Sequence, residues 1–108
     1  MPDKKSKDQL LDLLDRKAFG PVLEASPDDY KSERDKERLK DLQETTRKTE
    51  ESYQKVSSAE EVRERFRDDL RSEAAKKVHG ELRSLDLPTL NDIEDEFEAL
   101  YDKLNQKG

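Results

Sequence analysis

His79 is the side chain of this sequence best suited to acid–base chemistry near neutral pH. It is the only histidine, and the chain contains no cysteine. The sequence therefore excludes a thiol nucleophile, a disulfide, cysteine-ligated zinc and any metal site that needs two histidines. Lys76, Lys77 and Val78 precede His79, so the Glu-x-x-His ligand pair of di-iron bundles is also absent. We interpret His79 as a helix-boundary residue, and a general base or pH sensor is the alternative.

Acidic side chains are abundant, but their spacing is typical of solvated helix faces. Five of them lie between Asp92 and Glu98, where Ile93 and Phe97 follow helical spacing and no glycine is present. A calcium-binding EF-hand loop needs alternating ligands around a central glycine. The three glycines of the chain are isolated, so the sequence has no phosphate-binding glycine motif. We therefore expect no catalytic residue, no metal and no cofactor.

The function predicted on this basis is that of a protein-interaction module, an adaptor or regulator that is not an enzyme. A charged surface with both signs favours orientation and fast encounter with a protein partner. One structural finding would count against this prediction. A closed pocket that collects His79, a carboxylate and an unpaired polar group has the composition of an active site.

A basic row is the feature that would serve an alternative function, nucleic-acid association. Arg63, Arg67 and Arg71 recur every four residues and so lie on one helix face, and Lys76 and Lys77 follow them in the sequence. Binding needs such a face to neutralise phosphates. Acidic residues interrupt the row, and the chain carries a net charge of −6. We expect the arginines to pair with acids of a neighbouring helix, such as Glu44 or Glu51, and we expect no nucleic-acid partner.

Two apolar sets around proline-containing breaks are candidates for the rim of a partner-binding groove. The candidate contact residues are Phe19, Val22, Leu23, Leu87 and Leu90. The alternative is that the two sets pack on each other and form a second part of the core. We expect an unidentified protein partner, no membrane association, and a monomer or weak dimer.

The composition predicts a folded domain with a thin core. Charged residues make up 46% of the 108 positions and hydrophobic residues 30%. Low hydrophobicity favours disorder mainly when the net charge is high, and here the two signs largely cancel. No apolar run reaches the ~20 residues of a bilayer span or the ~7–15 of a signal peptide. We expect a soluble, acidic, cytoplasmic protein.

Caps and breaks in the sequence predict an all-α bundle. The four predicted helices cover residues 7–18, 31–56, 59–85 and 89–104. Gly20-Pro21 ends the first helix. Ser57 and Ser58 form a turn, either can cap the next helix, and so short a connection makes the two long helices an antiparallel hairpin. The predicted domain covers 6–104, between a disordered polar tail at 1–5 and a frayed end at 105–108.

The third predicted helix has an apolar stripe that rotates around its axis. Most of its apolar residues recur every four positions, and each step overshoots a full turn by about 40°. We expect its first half to pack on the long helix and its second half on the end helices. Gly80 is the expected bend or break, because glycine inside a helix costs ~1 kcal/mol against alanine.

The same apolar spacing defines the expected core. Its predicted members are Leu10, Leu13, Leu14, Val62, Phe66, Leu70, Ile93, Phe97, Leu100 and Leu104, with Leu39, Leu42 and Tyr53 at least half covered. In the long helix, Thr46 and Thr49 occupy heptad positions where a stable coiled coil would have apolar residues. We expect this segment to be the weak middle of the hairpin.

Overall fold

All regular secondary structure in residues 2–106 is helical, and these residues contain no strand. They are the part of the chain whose backbone the computed structural model describes, and side chains are described for 6–106. The α-helices are α1 (Pro2–Leu14), α2 (Gly20–Glu24), α3 (Glu33–Gln54), α4 (Ala59–Arg71), α5 (Glu73–Ser84) and α6 (Glu94–Asn105). A π-helical segment (Asp15–Phe19) joins α1 to α2, and 3₁₀ turns lie at Pro27–Asp29 and Leu90–Ile93. The backbone of α1 begins within the predicted tail. Met1, Lys107 and Gly108 lie outside the described residues.

The first helix continues through Gly20-Pro21, so the predicted stop is wrong. A proline ring clashes with the carbonyl four residues earlier in a regular α-helix and offers no N–H. The wider π-helical segment before Pro21 carries the chain past this point. The N–H of Gly20 donates to the carbonyl of Asp15, and a Cβ on Gly20 would lie 2.6 Å from that oxygen. The segment therefore needs glycine at position 20.

The predicted helix over 59–85 is in fact two helices that meet at Ser72. The backbone of Ser72 is extended (φ −68°, ψ 147°), and its Oγ accepts a hydrogen bond from the N–H of Ala75. This residue ends α4 and caps α5 at the same time. Of the two outcomes expected at Gly80, a bend or a break, the break is wrong, because α5 runs through Gly80 without interruption.

Helices α4 and α5, the two halves of the predicted helix, pack mainly on elements other than those predicted. Helix α4 packs on α1, and α1 packs on α6 as well. Helix α5 packs on α3, whose main neighbours are α2, the π-helical segment and the turn at Pro27–Asp29. The long antiparallel hairpin is therefore not confirmed, although the all-helical class is.

The core consists of two apolar clusters in an elongated molecule of 50 × 22 × 20 Å. The first cluster contains Leu10, Leu13, Leu14, Ala18, Phe19, Tyr53, Ala59, Val62, Phe66, Leu90, Ile93, Phe97 and Tyr101. The second cluster contains Val22, Leu39, Leu42, Leu82 and Leu85. Phe66 and Phe97 stack with ring centroids 4.0 Å apart.

The structure confirms the predicted core, although some of its residues are less buried than expected. Its first ten members all belong to the first cluster or pack against it, but three of them, Leu70, Leu100 and Leu104, are only partly buried. Leu39, Leu42 and Tyr53, predicted to be at least half covered, are buried.

Two glycine substitutions test the account of the π-helical segment. Gly20→Ala places a methyl group against the Asp15 carbonyl, and we expect the free energy of unfolding to fall by about 1–3 kcal/mol, as for other overpacked sites. Gly80→Ala is the matched control, because a Cβ there meets nothing within 4 Å. It should raise stability by about 0.5–1 kcal/mol through helix propensity. Urea denaturation measures both, and a Gly20→Ala protein as stable as its parent would contradict the account.

Candidate functional site

A cavity of about 220 Å³ lies where the two apolar clusters meet. Phe19 and Leu90 of the first cluster and Val22 and Leu82 of the second contribute to its wall. The cavity is partly open to solvent. Its position follows from the break at Ser72, because this break separates the helix that serves one cluster from the helix that serves the other.

Thr89 places an unpaired hydroxyl in the wall of this cavity. The residue is 1% exposed. Its Oγ1 faces the N–H of Asp92 in a capping box, but it makes no hydrogen bond of full geometry among residues 6–106, so its O–H proton has no acceptor there. Thr89 starts the last helical segment as predicted, and its N–H donates to the carboxylate of Asp92. The hydroxyl can therefore donate to another partner.

His79 is a buried wall residue of the cavity rather than a surface residue. Helix α5 carries it, and it is 6% exposed. The Nδ2 of Asn91 lies 3.1 Å from its Nδ1 and donates to it. Burial lowers the pKa of His79, with Arg83 acting in the same direction against Asp69 and Asp92. The imidazole is therefore neutral at pH 7 and carries its proton on Nε2.

Asp69 supplies a carboxylate to the same wall. The hydroxyl of Tyr53 donates to its Oδ2 at 2.6 Å, and Tyr53 is fully buried. Burial raises the pKa of Tyr53, and the charge of Asp69 raises it further, so the phenol stays protonated and keeps this hydrogen bond. The ring of Tyr53 packs on Phe19, with centroids 5.7 Å apart. Asp69 is thus oriented by a buried aromatic residue.

The threonine-rich middle of α3 forms the opposite side of the cavity. Thr45, Thr46 and Thr49 all line it, and Thr46 is 7% exposed. Larger apolar residues at the two heptad positions, Thr46 and Thr49, would reach into the space that the threonines leave open. The sequence predicted only a weak point of packing here. Together with the small residues Ala74 and Ala75 that follow Ser72, this interruption is the sequence signal from which the cavity could have been found.

A second feature is a pair of carboxyl groups beside the π-helical segment. A hydrogen bond with Asp15 raises the pKa of Glu50 to about 7, and partial burial and the charges of Asp15 and Glu51 add to this effect. Arg47 acts in the opposite direction. Near neutral pH Glu50 is therefore partly protonated.

The basic row does not form one free surface. Arg63 donates to Glu98 at 2.9 and 3.1 Å, and Arg67 lies 3.7 Å from the same carboxylate. The expected pairing with Glu44 or Glu51 is wrong, because the acid comes from α6, and Glu44 pairs with Lys48. The other members are exposed, without an ion pair within 4 Å in the described part of the chain; they are Arg71, Lys76 and Lys77.

The candidate partner-contact residues are mostly in the core. Phe19, Val22 and Leu90 are buried, and all three line the cavity. Leu23 and Leu87 are partly buried. For the buried three, the structure agrees with the alternative that the apolar sets complete the core.

Comparison with known proteins identifies no relative. No family model, no curated protein and no solved structure matches this chain. No helix among residues 2–106 is long and apolar enough to cross a bilayer.

The pH dependence of stability tests the pair of Asp15 and Glu50. Folding raises the pKa of Glu50, so its contribution to stability is fully present below about pH 4.5 and is lost as the pH rises to about 7. Glu50→Gln should remove this decrease in the free energy of unfolding. At pH 8 it should be more stable than the parent by about 1 kcal/mol, a small value because solvent screens the partly exposed pair. Glu51→Gln removes a carboxylate at the adjacent position and should keep the decrease in stability between about pH 4.5 and 7. Identical pH profiles for Glu50→Gln and the parent would contradict the assignment.

Mobility-shift titration tests the basic row. We expect no binding of duplex or single-stranded probes at low salt, because the net charge of −6 opposes a polyanion and Glu98 neutralises part of the row. Low salt is the most permissive condition, since log affinity falls with log salt by about 0.9 per duplex phosphate neutralised. Saturable binding that disappears when Arg71, Lys76 and Lys77 are changed to alanine would contradict this expectation.

Proposed function

We propose that this protein is a non-enzymatic binding protein that holds a small molecule in the cavity between its two apolar clusters. The observation that carries the proposal is the buried, unpaired hydroxyl of Thr89 in an otherwise largely apolar wall. Leaving a buried hydrogen-bonding group without a partner costs about 1–3 kcal/mol. A ligand that supplies the partner recovers this cost, and its apolar part gains from leaving water.

The size of the cavity supports a small ligand. A cavity of about 150 Å³ accommodates benzene. A cavity of about 220 Å³ therefore has room for a body of about nine heavy atoms, by proportion to that example. Binding sites for small molecules are typically apolar recesses with a few oriented polar groups, which is the arrangement here.

The cavity brings together His79, the carboxylate of Asp69 and the hydroxyl of Thr89. This combination has the composition of an active site. We nevertheless favour binding over catalysis, because two of these groups already have structural partners. Asn91 engages Nδ1 of His79, and Tyr53 engages Asp69. The hydroxyl of Ser72, which also lines the cavity, caps α5. A triad-like site would instead need a nucleophile bonded to its base.

The earlier expectation of a protein partner stays a prediction. Its surface would have to use the partly buried Leu23 and Leu87, since the other three candidates are in the core. A monomer or weak dimer and a cytoplasmic location likewise stay predictions. Small-molecule binding is compatible with each of them and rests on none.

Filling the cavity tests the proposal. Ala75 lines it, so Ala75→Phe should occupy the space and abolish the thermal stabilisation that oxindole and indane give to the parent protein. Ala99→Phe is the matched control, because it makes the same change at an exposed position of α6. A probe at ten times its dissociation constant should raise the melting temperature of the parent and of Ala99→Phe by roughly 6 °C.

The proposal fails if neither probe stabilises the parent protein. It also fails if Ala75→Phe responds as strongly as Ala99→Phe while circular dichroism shows both variants folded. In that case the probes would bind elsewhere.

A further inference from the structure

We propose that the ligand of this cavity is a neutral secondary amide or lactam with an apolar body. The inference rests on the proposed function and adds the chemistry of the molecule that is bound. It follows from the hydrogen-bond donors and acceptors of the polar wall groups that their structural hydrogen bonds do not use.

Asp69 is the group that accepts a hydrogen bond from the ligand. Its Oδ2 is occupied by Tyr53 at 2.6 Å. No hydrogen bond to its Oδ1 exists among residues 6–106, although Asp69 lines the cavity. An ionised carboxylate accepts and does not donate. A ligand with an N–H group therefore matches it.

His79 and Thr89 are the groups that donate to the ligand. Because Asn91 donates to Nδ1 of His79, the neutral ring carries its proton on Nε2 and offers it as a donor. The O–H of Thr89 has no acceptor among residues 6–106, so it can donate as well. Both residues line the cavity. A ligand carbonyl matches either donor.

The charges around the cavity favour a neutral ligand. A carboxylate on the ligand would meet the negative charge of Asp69. An ammonium group could pair with Asp69, but it would leave the donors of His79 and Thr89 without an acceptor. It would also face the N-terminal end of α5, where the cap Ser72 and the residue Ala75 line the same wall. An amide or lactam, in which an N–H lies beside a carbonyl, satisfies both sides without a net charge.

Four probes of one bicyclic shape separate these contributions. Indane has neither group, indole has the donor, 1-indanone has the acceptor, and oxindole has both. His79 is the only histidine, so long-range ¹H–¹⁵N spectra of the full-length chain give one pair of ring nitrogen signals that report on the cavity. We expect oxindole to bind about tenfold or more tightly than indane, with the other two probes between them. The Nε2 signal should shift with the carbonyl-bearing probes.

Two substitutions assign the contributions to residues. Thr89→Val removes the hydroxyl with little change of shape and should weaken oxindole and 1-indanone about fivefold while leaving indane unchanged. Asp69→Asn replaces an accepting oxygen by a donating amide and should weaken indole and oxindole but not 1-indanone. Unchanged circular dichroism confirms that each variant is folded. Indane binding serves as the internal control that the cavity is intact.

The outcomes separate this inference from the proposed function. If indane binds as tightly as oxindole, or if neither substitution changes the order of the probes, the amide inference is overturned while the cavity remains a binding site. If none of the four probes shifts the His79 signals or stabilises the protein, the proposed function itself is overturned.

Discussion

Burial of a rotating apolar stripe is the constraint on which this fold depends. From Val62 to Leu82 the apolar residues of a continuous helix would rotate by roughly 200°, so one straight neighbour could not cover them. The chain meets this constraint with the break at Ser72, which gives α4 and α5 separate directions. Val62 then joins the first cluster and Leu82 the second.

The cavity is a consequence of the same break. The first helical run reaches both clusters, because the π-helical segment carries it past Pro21 to Val22. Helix α3 also reaches both, through Tyr53 and Leu39. Between them, the residues that face the break are small or hydroxyl-bearing and leave a space that neither cluster fills. Two polar groups of that space, His79 and Asp69, are oriented by Asn91 and Tyr53, so they are ordered before any ligand arrives.

Local signals predicted much of this architecture. Ser58 caps α4 as one of the two expected residues, and the apolar spacing identified the core around Phe66. The sequence did not reveal that a π-helical turn tolerates Pro21, because the usual rule considers only the regular α-helix. Ser72 also escaped notice as a cap, since position 75 is alanine and the capping-box pattern needs Glu or Gln there. The break was instead expected at Gly80. A Cβ at that position would meet nothing within 4 Å, so the structure does not require glycine there.

Of the candidate site, the sequence singled out His79 but not its neighbours. Asp69 and Thr89 lie ten residues from it on either side, and only the tertiary fold brings them to one cavity. The pairing of Arg63 with Glu98 was unpredictable for the same reason, since it depends on where α6 packs. The most direct test of the central claim is a crystal structure under xenon pressure, because xenon enters preformed apolar cavities. The account predicts xenon density in the cavity between Val22 and Leu82. A cavity closed by repacked side chains, with no xenon bound there, would contradict it.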